Sequence, residues 1–216
     1  MEKQELSELS LPLWDKLRRA VREGDTAKVL ALIDEAQESF KRNRGNAGRF
    51  VNLALSVLAR KAGEDAVEEV VRTWVHETVW PIFGKDTADM SAEDKVRRRA
   101  KVCTSLHGVG VDIEEDAEKF TLRFNCSSGG VAVKDESGRF KEAHAWACGE
   151  QGVSYYCAHC LLAFEVMAIE RVGHPWWIVL PPKEFGEPCV QYIYKDTAKI
   201  PKAHPTRAAS NKPAET

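Results

Sequence analysis

Apolar residues recur at helical spacing through most of the first half of the chain. Leu13, Trp14, Leu17 and Val21 form a short stripe, and Val29, Leu32, Ile33, Ala36 and Phe40 form the next. The second follows Asp25, whose carboxylate can cap the first free N–H groups of a helix. Phe50, Leu53, Ala54, Val57 and Leu58 make another stripe, closed by Gly63. Val67, Val70, Val71, Trp74, Val75 and Thr78 follow, and Pro81 stops them because its ring removes a donor and clashes with the preceding turn. Ser91, with Asp94 three residues on, opens a helix carrying Val96, Ala100, Val102 and Leu106 to near Gly108. One-sided stripes on consecutive helices must be buried against each other or against a sheet.

The period changes near Gly108. Phe120, Leu122 and Phe124 alternate with Thr121 and Arg123, the pattern of a half-buried strand. Ser128-Gly129-Gly130 reads as a turn and Val131-Ala132-Val133 as the returning strand. Trp176 to Leu180 and Val190 to Tyr194 are two more strands, punctuated by Pro181-Pro182 and Gly186. A helix from about Leu161 to Glu170 separates the two pairs. The expected fold is α+β: a helical N-terminal half packed on a small antiparallel sheet that carries a zinc-binding cysteine cluster. Its parts are a flexible N-terminus (1–11), a helical region (12–107), a β-rich metal-binding region of the same compact domain (108–194) and a disordered Lys/Pro/Ala/Thr tail (195–216).

Charge adds little. A net charge of −2 over 216 residues and no basic stripe interleaved with aromatics give no reason to expect nucleic acid. Arg97-Arg98-Arg99 reads as a solvated helix face. The start of the chain is acidic and polar, unlike a secretory signal, and no apolar run approaches the ~20 residues of a membrane span. A cytoplasmic protein is expected. Six cysteines in that setting point to metal or free thiols before disulfides.

The cysteines carry the clearest chemistry. Cys157-Ala158-His159-Cys160 is a C-x-x-C, whose tight turn can aim two sulfurs at one ion. Cys126 and His144 stand upstream in a Cys-x17-His-x12-Cys-x2-Cys series. Three thiolates and one imidazole favour Zn2+ over hard ions. Cys148, four residues after His144, is an alternative fourth donor. Cys126, Cys148, Cys157 and Cys160 could also hold an iron–sulfur cluster, with zinc preferred because His144 is so near. Cys103 and Cys189 read as core. A redox C-x-x-C needs a strand before it and a thioredoxin-like context, which Gly152-Val153-Ser154-Tyr155-Tyr156 does not supply.

Trp146, Tyr155, Tyr156, Trp176, Trp177, Tyr192 and Tyr194 crowd the C-terminal half. Most should be core, and those beside the metal can wall a ligand pocket. His159, inside the C-x-x-C, points away from a metal held by its neighbours and is a candidate acid/base. Glu165 on the following helix is a candidate general base for a metal-bound water. No phosphate-binding or dinucleotide loop occurs.

Three short motifs, Phe124-Asn125-Cys126-Ser127-Ser128-Gly129-Gly130, Tyr156-Cys157-Ala158-His159-Cys160 and Gly186-Glu187-Pro188-Cys189-Val190-Gln191-Tyr192, carry a resemblance. In them the chain resembles L-2-amino-thiazoline-4-carboxylate hydrolase-like proteins and the small-molecule-binding domains of the 4-vinyl reductase type. The resemblance implies helices before a sheet with late cysteines. It also implies either hydrolysis of a small cyclic C–N compound or sensing of a small ligand. His144 is not carried over from it.

The expected function is therefore a zinc protein with a closed structural site beside an aromatic pocket that binds a small organic molecule. The alternative is a metal-dependent hydrolase of a C–N bond. The helical half can cover the sheet or present a homodimer face, and the residues do not choose.

Overall fold

The computed structural model describes residues 10–84, 86–202 and 204. Residues 1–9 and 205–216, and with them most of the expected flexible start and tail, lie outside the described residues. The fold is α+β, with one four-stranded antiparallel sheet. The chain divides into two compact units, Met1–Asn43 and Arg44–Thr216.

In the first unit, helix α1 (Leu13–Glu23) ends at Gly24, whose φ of 72° is the left-handed conformation that glycine adopts without a Cβ penalty. The Asp25 carboxylate then caps the next helix by accepting from the Lys28 N–H at 3.0 Å. That helix, α2 (Thr26–Ala62), is a single run of 37 residues where two stripes were expected, and its residues from Arg44 onward belong to the second unit. Gly45 and Gly48 do not break it. They let it approach the loop at Ser127–Val131 closely: a Cβ on Gly48 would meet Ser128 backbone and side chain at 2.8 Å, and one on Gly45 would meet Val131 at 3.1 Å.

In the second unit, α3 (Glu64–Trp74) continues through a π-helical turn (Val75–Val79) into α4 (Trp80–Phe83). Pro81 does not stop this run as expected: the helix continues directly from the π turn through the proline to Phe83. Helix α5 (Ala92–Leu106) opens as expected, with Ser91 Oγ accepting from the Asp94 N–H. Val67, Val71, Val75, Val79 and Phe83 line one inward face. With Phe120, Leu122 and Phe124 of the sheet and Leu161, Leu162 and Phe164 they form the core.

The sheet runs β1 (Asp112–Glu115), β2 (Lys119–Phe124), β4 (Cys189–Tyr194), β3 (Ile178–Leu180). In register, Phe124 faces Cys189 and Leu180 faces Val190. Strand β1, Asp-Ile-Glu-Glu, is exposed along its length and was not foreseen, since an edge strand with no buried face shows no alternation. The strand expected at Val131–Val133 is instead the end of a helical turn, α6 (Gly129–Ala132). The strand expected from Trp176 begins at Ile178, because the Trp176 N–H is committed to Phe164 O at 2.9 Å. Beyond β4 the chain stays on the sheet, with the Lys195 N–H donating to Glu118 O at 2.8 Å.

After a 3-10 turn (Tyr155–Cys157), α7 (Ala158–Leu161) passes through a second π turn (Leu162–Val166) into α8 (Met167–Val172). The two π turns are joined through Trp80, whose Nε1–H donates to Ala163 O at 3.2 Å. Such single-turn bulges widen a helix locally and often border functional sites.

Candidate functional site

Four cysteines meet at one small cavity. Cys126 leaves the end of β2, and Cys189 begins β4 opposite Phe124. The 3-10 turn that delivers Cys157 is capped by Ser154, whose hydroxyl accepts from the Cys157 N–H. One turn of α7 then brings Cys160 alongside. The sulfur-bearing residues Cys126, Cys157, Cys160 and Cys189 wall a cavity of about 20 Å³ together with Gly129, Arg99, His107, His159 and Tyr156. Gly129 permits the approach: a Cβ there would stand 3.2 Å from Cys157 Sγ and 3.5 Å from Cys126 Sγ.

The surroundings of the sulfurs are polar in a directed way. The Gly129 N–H donates to Cys126 Sγ at 3.3 Å, and Gln191 Nε2 lies 3.7 Å from Cys189 Sγ. Gln191 Oε1 in turn accepts from Arg99 Nε at 2.7 Å. Arg99 is 3 % exposed. Its guanidinium lies 5.0 Å from the Phe124 ring and also over Phe83 and Phe164, and it has no carboxylate partner among the described residues. The arginine run is thus only partly the solvated face expected of it. Arg97 is exposed on an ion pair with Asp94, while the helical turn carries Arg99 inward. Burial pushes the thiols of Cys126, Cys157, Cys160 and Cys189 above their ordinary range, against the lowering effect of Arg99 on three of them.

A second, larger cavity of about 290 Å³ shares Arg99, His107, Tyr156, His159 and Cys160 with the first. Trp74 supplies its aromatic floor, 4.5 Å from the His159 ring and 5.7 Å from the Tyr156 ring. Thr78 and Val79 of the first π turn and Phe164 of the second line it as well. The His159 Nδ1–H donates to Tyr156 O at 2.5 Å, since a carbonyl can only accept, and Nε2 faces Cys160 Sγ at 3.3 Å. Burial, helped by Arg99 and Arg44 against the Tyr156 bond, lowers the His159 pKa to about 4. His107 is neutral for the same reasons, its pKa lowered to about 3 by burial and then by Arg99, Arg44 and His159. A guanidinium can only donate, so His107 Nδ1 accepts from Arg44 Nη2 at 3.3 Å.

The other expected site residues lie elsewhere. His144 is not brought to the cysteines. Its Nε2 is bonded to Glu64, which also accepts from the Tyr155 hydroxyl at 2.7 Å and the Lys141 N–H at 3.0 Å. These four residues border a separate open pocket of about 310 Å³. Cys148, the alternative donor, is buried in a left-handed conformation with φ 56° at the end of the turn after His144, and it lines neither cavity. Glu165, expected as a general base, is fully buried in the second π turn and accepts from the Val179 N–H at 2.8 Å, tying that turn to β3. Among the described residues, no group of three or more Cys, His, Asp or Glu side chains is arranged to hold a metal ion.

Sequence reasoning missed Arg44, Arg99, His107 and Cys189. Only Cys189 left a signal, through its place in the third resemblance motif. Compared with family models, curated proteins and solved structures, the chain matches none of them. No described helix is long and apolar enough to cross a membrane.

Proposed function

We propose that the protein binds a small organic molecule in the cavity over Trp74, Tyr156 and His159, and that zinc held among the neighbouring thiols braces that cavity. The observation that carries this reading is the shared wall: Arg99, His107, Tyr156, His159 and Cys160 face both the larger cavity and the thiol pocket. At about 290 Å³ the larger cavity is near the lower end of small-molecule sites, and its mix of aromatic faces with a few convergent polar groups is typical of them. Thiols suit zinc better than hard cations, and they stay reduced in the cytoplasm.

Two features support the zinc reading, although no described group is already arranged to hold an ion. Gly129 leaves room for two sulfurs to approach, and the buried Arg99 offers positive charge where bound thiolates would be negative. Zinc with four protein ligands would cross-link the end of β2, the start of β4 and the helix at Cys160, and it would leave no open position for a substrate.

The test uses anilinonaphthalene sulfonate as the probe. Saturable one-site fluorescence in the native protein, lost in Val51→Trp, which fills the cavity, is the expected result. Probe binding that Val51→Trp does not alter, with native near-UV circular dichroism in the variant, would overturn it. Hydrolysis of a small cyclic C–N compound is the second reading, favoured by the neutral imidazole of His159 on the shared wall. Release of product from 2-amino-thiazoline-4-carboxylate, abolished by His159→Ala, would put it first.

A further inference from the structure

The geometry points to an all-thiolate site for one zinc ion, with Cys189 as its fourth ligand in place of His144 and Arg99 as the buried charge that balances it. This rests on the zinc reading above and names its donors.

Three observations select the four. Cys126, Cys157, Cys160 and Cys189 face the same cavity, whereas His144, Cys148 and Cys103 do not line it. The strand register brings Cys189 there: it opposes Phe124, two residues before Cys126, so the two sulfurs come from neighbouring strand ends. The cavity, at about 20 Å³, has room for one ion-sized particle, since a single water needs roughly 10–15 Å³. The four sulfurs are not already arranged around one point, so coordination requires them to close on the ion at about 2.3 Å.

The second sphere is in place for thiolates. Cys126 accepts from the Gly129 N–H, Cys189 faces Gln191 Nε2, and Gln191 holds Arg99 through its other amide atom. N–H groups aimed at sulfur stabilise the charge a metal-bound thiolate keeps, and such partners orient ligands as the ligands orient the metal. Loading follows four Cys–SH plus Zn2+ giving Zn(S–Cys)4 and four protons, so the site gains two net negative charges. A buried guanidinium with no carboxylate partner among the described residues, three rings around it and an amide bridge to a ligand sulfur supplies charge of the right sign at the right place. Arg99 is a positioning residue here and does not touch the metal.

The experiment is cobalt substitution of the full-length protein, read by absorption, with zinc affinity measured by chelator competition. The native protein should show the intense sulfur-to-cobalt charge transfer and the visible bands of a tetrahedral four-sulfur site. Cys189→His, which keeps a donor, should shift the visible bands and lower the charge-transfer intensity without loss of folding. Cys189→Ser should weaken zinc binding by more than the roughly 10–100-fold that outer-sphere changes produce, and Arg99→Gln by about that amount, with Arg99→Lys recovering part. His144→Ala, Cys148→Ser and Cys103→Ser should leave the cobalt spectrum unchanged. A spectrum altered by His144→Ala and not by Cys189→His overturns the four-thiolate set while leaving the zinc reading standing. Iron with acid-labile sulfide in the purified protein overturns the single-ion site. No binding of cobalt or zinc by the native protein overturns both, and the dye experiment then still decides ligand binding on its own.

Discussion

Gly129 stands against Cys157 so closely that its missing side chain is a structural feature: a Cβ at Gly129 would lie 3.2 Å from Cys157 Sγ. The same Cβ would stand 3.5 Å from Cys126 Sγ, so it would press on two of the four sulfurs at once. Gly129→Ala should therefore destabilise the fold by about 1–3 kcal/mol, the usual range for overpacking a filled interior. Urea denaturation of the native and variant proteins measures it. An unchanged midpoint would show that the sulfurs have slack there, and that the close packing of this loop plays no part in holding them.

Asn52 supports the same region from the long helix. It is fully buried, its Oδ1 accepts from the Tyr156 N–H at 2.9 Å, and its Nδ2 donates to Asp135 at 3.2 Å. Asn52→Ala leaves the Tyr156 N–H without that acceptor one residue before the C-x-x-C, and should cost about 1–3 kcal/mol. Gly138 closes over this asparagine: a Cβ on it would collide with Asn52 Nδ2. Gly138→Ala should thus destabilise at least as much as Asn52→Ala, and the double variant should cost less than the sum, because both changes act on one amide. Additive losses in a double-mutant cycle would break that link.

These residues also show where the sequence was readable. The helical stripes at Val67 to Thr78 and Val96 to Leu106 and the alternation at Phe120 to Phe124 appear as helices and a strand because burial on one face imposes a period. The capping by Asp25 and Ser91 was legible for a similar reason, since each acts within three residues of itself. What stayed hidden depends on contacts across the chain. Gly45 and Gly48 look like punctuation in a sequence, yet they sit inside one helix to admit a loop some eighty residues away. Arg99 looks like its exposed neighbour Arg97, and only the packing of α5 on the sheet turns it inward. Cys126, Cys157 and Cys160 could be gathered by motif, but sequence spacing chose His144 over Cys189. The β2–β4 register, invisible in spacing, brings Cys189 and not His144 to the cavity that the other three line.

The buried His107 makes stability depend on pH in a defined window. Facing it are Arg44, which donates to its ring, together with Arg99 and His159, and no carboxylate is among the groups that shift it. Its pKa falls from 6.5 in the unfolded chain to about 3 in the fold. Between those values the unfolded state binds the proton and the folded state does not, so stability drops as pH falls from about 6.5 and stops dropping near 3. The slope attributable to this one group approaches about 1.4 kcal/mol per pH unit. Unfolding free energies from urea denaturation at pH 7 and pH 5 should differ by about 2 kcal/mol more in the native protein than in His107→Gln, which cannot titrate. Equal differences in the two proteins would mean that the ring is protonated in the fold and that the Arg44 contact is not made.

Glu64 offers the complementary test, because it is bonded to His144, the imidazole that the sequence reading assigned to the metal. Burial works to raise its pKa, but the Lys141 N–H, the Tyr155 hydroxyl and His144 together outweigh burial and lower it. The carboxylate therefore adds stability above its unfolded pKa, and this is lost as pH falls through the lower folded value. Glu64→Ala removes the acceptor of all three donors and should cost about 1–3 kcal/mol, while Tyr155→Phe, which removes one donor beside a pocket open to solvent, should cost about 1 kcal/mol. His144→Ala should weaken the fold in the same way without changing zinc stoichiometry. If zinc is lost from His144→Ala while Glu64→Ala retains it, the imidazole is a ligand after all and its bond to Glu64 is the support that orients it. If both variants keep full zinc and lose stability together, His144 and Glu64 form a bracket that pins the start of α3 to the loop at Lys141, independent of the thiol site.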